Sequence, residues 1–442
     1  MEPALPDLDP DPVSEATATA TPSPPFIPPI TITTALPKIH CIDMHTLGMP
    51  TRLVITGYPD LTGPLVAQKA LAESSPRHDS IRRAILHEPR GHRDSFGAIL
   101  RAHTECTVSG EAHMGVLYIH GDGYSAMCGH ATLAVARFLV DCWDRAVFPR
   151  RRELVLDERE GAGEGDGGES VGLVLHTPGG LVRAVVPTVR GTRGARSDPA
   201  RMVRFVALPV FVIGVGIAVA LRGELPGRKD RVYVSLAYCG TFILQVQLEE
   251  LGFGSNILDG GGRGGGGGGG GDPLRQLQHA ATQIKEVLNT DPAYREYLKF
   301  PDKDGYGAVF GVMVSDKSRG AAMEGTKGGE LGVYFFGGGH IDRSPTGSAA
   351  AARAALDFAR GTLAVGDSWT YHSLPTHVFG LEGMVATVLD AGSGVEDGSG
   401  RCGPVQVQIA GKAHYTGYST IVREEGDILG ENGFLLDNIL KG

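Results

Sequence analysis

Apolar and polar positions alternate over short stretches along much of the chain, and the pattern switches to helical spacing at only a few places. Ile39–Asp43 and Arg52–Gly57 read as short strands, and Glu88–Leu100 reads as a turn-rich segment leading into another. Val116–His120 is a further strand, closed by the turn Gly121-Asp122-Gly123. After Met127-Cys128-Gly129-His130 the spacing changes. Ala131, Ala134, Val135, Phe138, Leu139 and Cys142 recur three and four positions apart, which predicts a helix. Leu274–Leu288 also reads as a helix. Leu331–Phe336 is a strand, Gly337–Gly339 a loop, and Ala349–Arg360 an alanine-rich helix ended by Gly361. Val405–Val422 is strand-like, with turns expected at Gly411 and Gly417.

Strand, turn, a polar-Gly-polar step and a small-residue helix therefore occur twice, at Cys128 and at Thr346. Such duplication predicts two similar halves facing each other across a cleft. The expected division is a disordered arm at 1–37, a first α/β half at 38–190, a second at 191–410, and a C-terminal segment, 411–442, returning to the first half. Glu158–Ser170 and Gly260–Gly271 read as flexible insertions, because glycine loses the most backbone freedom on ordering. Phe205–Leu221 is apolar and uncharged, at the low edge of the roughly 17–25 residues that span a membrane. Its Pro209, Gly214 and Gly216 and its Val and Ile content favour two buried strands joined by a turn.

Composition narrows the picture. The chain has 442 residues, long enough for two well-sized cores. A net charge of -9 argues against a nucleic-acid partner, since such proteins carry a basic face. The triplet Arg150-Arg151-Arg152 reads as a solvated loop. The arm lacks Lys and Arg, unlike a secretory or mitochondrial leader, so the cytoplasm is the expected location. Six cysteines occur with no CxxC pair and no metal-ligand spacing, which fits free thiols and no metal.

The chemistry concentrates at the two helix starts. A thiol at a helix N-terminus faces unpaired N–H groups and the positive end of the dipole, which lower its pKa from about 8.5. The same N–H groups bind a carboxylate, and a following glycine lets a ligand approach the backbone. Two opposed starts would clamp one carboxylate and place a group on each face of its α-carbon. Convergent donors would then stabilise the charge that builds when the α-proton leaves. A lone cysteine before a helix is more often a small buried residue. The neighbours Gly129 and His130, and the matching site at Thr346, favour the functional reading. Cys41, Cys106, Cys142, Cys239 and Cys402 lack that context and read as core or surface residues.

Met127-Cys128-Gly129-His130-Ala131-Thr132 resembles the MCGHGT-type signature of the proline racemase family. Asp342-Arg343-Ser344-Pro345-Thr346-Gly347-Ser348 resembles its DRSPCGTGT-type signature. Ile42–Thr46 with Pro50-Thr51-Arg52, Glu88–His92, and the apolar stretch before Gly240 are similar to further family patterns. The resemblance implies a diaminopimelate-epimerase-like α/β fold, in which each half wraps a sheet around a central helix and the active site lies in the cleft between them. It also implies cofactor-independent chemistry and a homodimer. Carried onto this sequence, Cys128 is one acid/base. Gly129, His130, Gly347 and Ser348 hold the carboxylate, and Asp342 with His130 contacts the ring nitrogen of a cyclic amino acid.

One departure decides the expected function. The second cysteine of the family pattern is Thr346, whose hydroxyl is a far weaker acid than a thiol. Two-base racemisation should then fail. The Cys/Thr arrangement resembles that of the family's trans-3-hydroxy-L-proline dehydratases, so the expected reaction is loss of water from trans-3-hydroxy-L-proline to give 1-pyrroline-2-carboxylate. In that substrate the α-hydrogen and the hydroxyl share a ring face, and one base suffices. The alternatives are a proline racemase or hydroxyproline epimerase, and a non-catalytic protein that binds a cyclic amino acid. Cys239, Ala131 and Ser348 also depart from the family pattern, and Cys239 is expected to alter the pocket wall.

Overall fold

The structure is a computed structural model that describes residues 34–157, 168–221, 230–259, 272–392 and 402–439. The glycine-rich stretch 260–271, most of the insertion at 158–170 and most of the arm at 1–37 lie outside the described residues.

Two runs of strands wrap two helices. In the first run Ala413–Ile421 pairs with Ile39–Thr46, which pairs with Met49–Thr56. The run continues through Phe96–Arg101, Met114–His120, Ser170–Thr177, Gly180–Pro187 and Val203–Val206. The second run goes from Val210–Ala220 through Arg231–Tyr238, Phe242–Gln247, Val309–Asp316, Gly329–Phe336, Ser368–His372 and Met384–Ala391 to Cys402–Gly411. Cys402–Gly411 pairs back to Val210–Ala220, so this run closes on itself. It also pairs with Val203–Val206, which joins the two runs. In both, the pairings read antiparallel, antiparallel, parallel, antiparallel, parallel, antiparallel, antiparallel. The duplication legible in the sequence is thus a duplication of topology, and the fold is the expected pseudo-symmetric α/β type.

The first central helix is Gly129–Asp141 and the second is Gly347–Ala359. The spacing of apolar residues predicts a one-sided first helix, but Gly129 to Val140 are all buried. Enclosure by strands explains this, because a helix surrounded by sheet has no solvent face. The alanines of the second helix meet the same need, since small side chains let the closed strands approach. The charged residues within are paired. Arg353 donates to Glu330 at 2.9 Å and to the Pro345 carbonyl at 3.0 Å, and Arg137 Nε donates to Ser197 at 3.0 Å. An unpaired buried cation would be costly, so these bonds permit a charge on each enclosed helix.

The apolar segment at 205–221 forms parts of two strands, Val203–Val206 and Val210–Ala220, with Leu208-Pro209 in the turn. Among the described residues, no helix is long and apolar enough to cross a membrane. Two expectations are corrected. Gly417 is not a turn; it lies inside Ala413–Ile421, where the pairing with Ile39–Thr46 slips between Asp43 and Met44 and forms a bulge. The arginine triplet is not a solvated loop. Arg151 is 2% exposed, donates to the carbonyls of Val140 and Gly194, and lies over the Trp143 ring. Carbonyls left open beyond the helix attract it inward, which a charge count along the sequence does not reveal.

Candidate active site

Each central helix follows a strand and a tight turn. Met114–His120 and Gly123–Ser125 lead to Cys128; Gly329–Phe336 and His340–Ile341 lead to Thr346. Cys128 and Thr346 each stand at the N-cap of their helix. The two starts meet at their glycines. A Cβ built on Gly129 would lie 2.7 Å from Cα of Gly347, and one on Gly347 would lie 2.9 Å from Cα of Gly129. Only glycine at both positions lets the backbones come this close.

All seven candidate residues, Cys128, Gly129, His130, Asp342, Thr346, Gly347 and Ser348, line one cavity of about 220 Å³. The two starts are not chemically alike. Cys128 is 6% exposed and in extended backbone, and its Sγ lies 3.6 Å from both ring nitrogens of His130. Thr346 has φ +63°, an uncommon conformation for a β-branched residue. Its hydroxyl donates to Asp342 Oδ2 at 2.8 Å, and its N–H donates to Ser344 Oγ at 3.1 Å. Asp342 Oδ1 accepts from the backbone N–H and hydroxyl of Ser344 at 2.7 and 2.8 Å. The strained turn at Thr346 is therefore held by a closed set of short bonds. His130 Nδ1 lies 3.9 Å from Asp342 Oδ2, with the ring edge against Phe96 at 4.6 Å.

The electrostatics correct one expectation. The Cys128 thiol is not depressed; burial pushes it up to about 12, helped by the negative charge of Asp342 and opposed by the Ala131 N–H. Loss of hydration outweighs what the helix start supplies. Burial likewise pushes His130 down, against the pull of Asp342, so the ring is neutral. A cation between Cys128 and Asp342 would reverse the sign for the thiol, because it would favour the thiolate and neutralise the carboxylate.

Several lining residues carry no signal at the level of motif. Phe96, Phe310 and Phe336 form an aromatic wall, with Phe336 5.3 Å from Phe96 and 5.8 Å from Phe310. They are strand or strand-end apolars, and only the fold shows that they face the cavity. Cys239, by contrast, lies where the family resemblance places it, buried in the cavity wall with Sγ 3.5 Å from the Ser348 carbonyl, and burial pushes its thiol up to about 12. Behind the wall, His340 joins the two halves. Its Nδ1 lies 3.1 Å from Asp94 and its Nε2 2.9 Å from Asp122. Burial alone would lower its pKa, but the bonds to Asp122 and Asp94 outweigh that and raise it.

Residues 41–435 match the family model described as proline racemase. The chain is 34% identical over 404 residues to the trans-L-3-hydroxyproline dehydratase of Mus musculus, covering 90% of this chain and 95% of that one. It is 27% identical over 402 residues to the proline racemase of Clostridioides difficile, covering 90% and 98%. Among solved structures it resembles a hydroxyproline epimerase from Agrobacterium vitis with bound trans-4-hydroxy-L-proline, at a TM-score of 0.66 and 20% identity over 91% of this chain and 96% of that one.

Proposed function

From its membership of the proline racemase family, and from the unequal pair of groups at its two helix starts, we propose that this chain is a hydro-lyase that converts trans-3-hydroxy-L-proline to 1-pyrroline-2-carboxylate. The observation that carries the reading is Thr346. Its hydroxyl proton is already donated to Asp342, so the second helix start presents an alcohol where the first presents a thiol. The Cys239 thiol in the same wall is turned to the Ser348 carbonyl at 3.5 Å and is pushed up to about 12 by burial, with no cation beside it among the described residues. The naming of the mouse relative supports the substrate class.

The backbone N–H groups of Gly129 and His130, with those of Gly347 and Ser348, hold the substrate carboxylate. The ring ammonium sits beside Asp342 and His130 and supplies the positive charge that brings the Cys128 thiol down from about 12. The Cys128 thiolate takes the α-proton. The C2–H electron pair forms the C2=C3 bond, and the C3–O bond breaks on the same face. The proton now on sulfur passes to the departing hydroxide, giving water and restoring the thiolate. The enamine then tautomerises to 1-pyrroline-2-carboxylate. Thr346 fixes the orientation of Asp342 and covers the opposite face. Every step uses side chains and backbone, and calls on no metal or other cofactor. We further propose a cytoplasmic homodimer with no nucleic-acid or membrane partner.

The test supplies purified protein with trans-3-hydroxy-L-proline, and with trans-4-hydroxy-L-proline as comparison. Pyrroline carboxylate formed from the 3-hydroxy compound alone supports the assignment. An epimer formed without loss of water overturns it.

A further inference from the structure

His120 ends the strand Met114–His120, is 5% exposed, and lines the cavity, yet the mechanism above leaves it unused. Its ring lies 5.9 Å from Phe96 and 5.9 Å, edge-on, from Phe310. The Asp122 N–H donates to Nδ1 at 3.2 Å. A neutral imidazole that accepts at Nδ1 carries its proton on Nε2. Burial pushes the ring down to about 4, so it is neutral near pH 7. Among the described residues, Nε2 has no hydrogen-bond partner. A donor that lines the cavity without such a partner is available to an acceptor on a ligand.

The donor is held rigidly. Asp122 is fixed from the other half of the molecule by His340 Nε2 at 2.9 Å and by the Gly338 N–H at 3.2 Å. His340 in turn stacks on Phe336 at 5.3 Å and is tied to Asp94. Position matters as much as chemistry. The Phe96 ring is shared by both histidines, its centroid 4.6 Å from that of His130 and 5.9 Å from that of His120. A cyclic amino acid with its carboxylate on the helix starts and its ring along Phe96 turns its far carbons toward His120.

The geometry points to His120 as the residue that recognises the ring hydroxyl, its Nε2–H donating to the oxygen that leaves C3. This rests on the dehydratase reading and adds to it the source of specificity for a hydroxylated ring. The hydrogen bond stabilises charge on the departing oxygen, and no proton is transferred from the imidazole, since the proton from sulfur completes the water. An apolar pocket alone rejects an unhydroxylated ring poorly, whereas a buried donor left without its acceptor rejects it strongly.

Two variants and two readouts test this. His120→Leu removes the donor, and His120→Gln keeps an N–H at the Nε2 position. In a Cys128→Ser background, calorimetry compares binding of trans-3-hydroxy-L-proline with binding of L-proline. His120→Leu is expected to lower the preference for the hydroxylated ligand by about tenfold or more, with proline affinity unchanged or increased, and His120→Gln to restore the preference. With Cys128 present, His120→Leu is expected to lower kcat/KM by about 10²-fold. An unchanged preference, or an equal loss of affinity for both ligands, overturns the assignment. Unaltered enzyme that binds the hydroxylated ligand preferentially without dehydrating it overturns the dehydratase reading and leaves the role of His120 standing.

Discussion

The Cys128 start and the Thr346 start occupy equivalent places in two runs of strands with the same pairing order, and they differ in what is free to react. At Cys128 the backbone is relaxed and the sulfur lies beside His130 and the Ala131 N–H, with the charge of Asp342 nearby. At Thr346 the backbone is strained and the hydroxyl is bonded to Asp342. On the proposed function, duplication supplies two helix ends for the carboxylate, and specialisation of one of them leaves a single proton-transfer group facing one side of the substrate. The fold would then be symmetric where it binds and asymmetric where it reacts.

Changes that remove this asymmetry should be the most damaging. Cys128→Ser deletes the thiol at nearly constant shape. Dehydration should fall by about 10²–10⁴-fold, read from pyrroline carboxylate formation, while calorimetric binding of the substrate persists. Gly129→Ala attacks what the two starts share, their close backbone approach, since the added Cβ would lie 2.7 Å from Cα of Gly347. Neither backbone can yield cheaply, so the melting curve should report a loss of about 1–3 kcal/mol, accompanied by loss of turnover. Thr346→Val sharpens the comparison by removing only the hydroxyl. Asp342 Oδ2 then lacks its donor, which costs about 1–3 kcal/mol, and KM should rise more than kcat falls if Thr346 acts by orienting Asp342.

The smallest effect concerns the link between the halves. The pKa of His340 is raised in the folded protein by Asp122 and Asp94. Its stabilisation is therefore fully present below the unfolded value of about 6.5 and is lost as pH rises through the folded value. Melting temperature should decline as pH rises above about 6.5 through the folded value, and His340→Gln should flatten the decline.

Much of this was legible in the chain because the site is built from local sequence. A cysteine or threonine, then a glycine, then a helix fixes the cap, the N–H groups and the reacting atom together. The strand before each helix is also legible as an apolar run, whereas the strands that follow each helix, Ser170–Thr177, Gly180–Pro187, Ser368–His372 and Met384–Ala391, are not. What could not be read came from elements distant in sequence. The contact of Gly129 with Gly347 is one such case, and the inward turn of Arg151 onto Val140 and Gly194 is another. The direction of the Cys128 shift is a further case, because the helix start that would lower it is local, whereas the burial that raises it depends on the whole cavity. His120 reads in the sequence as a strand-end histidine, and only the placing of Asp122 by His340 defines its tautomer.

The central claim, that hydrogen is taken from one face only, is tested most directly by incubating the enzyme with L-proline in deuterium oxide and resolving the enantiomers. A single competent thiol at Cys128 predicts α-deuterium in proline that remains L. Accumulation of D-proline would show a second working acid opposite Cys128 and would contradict the account.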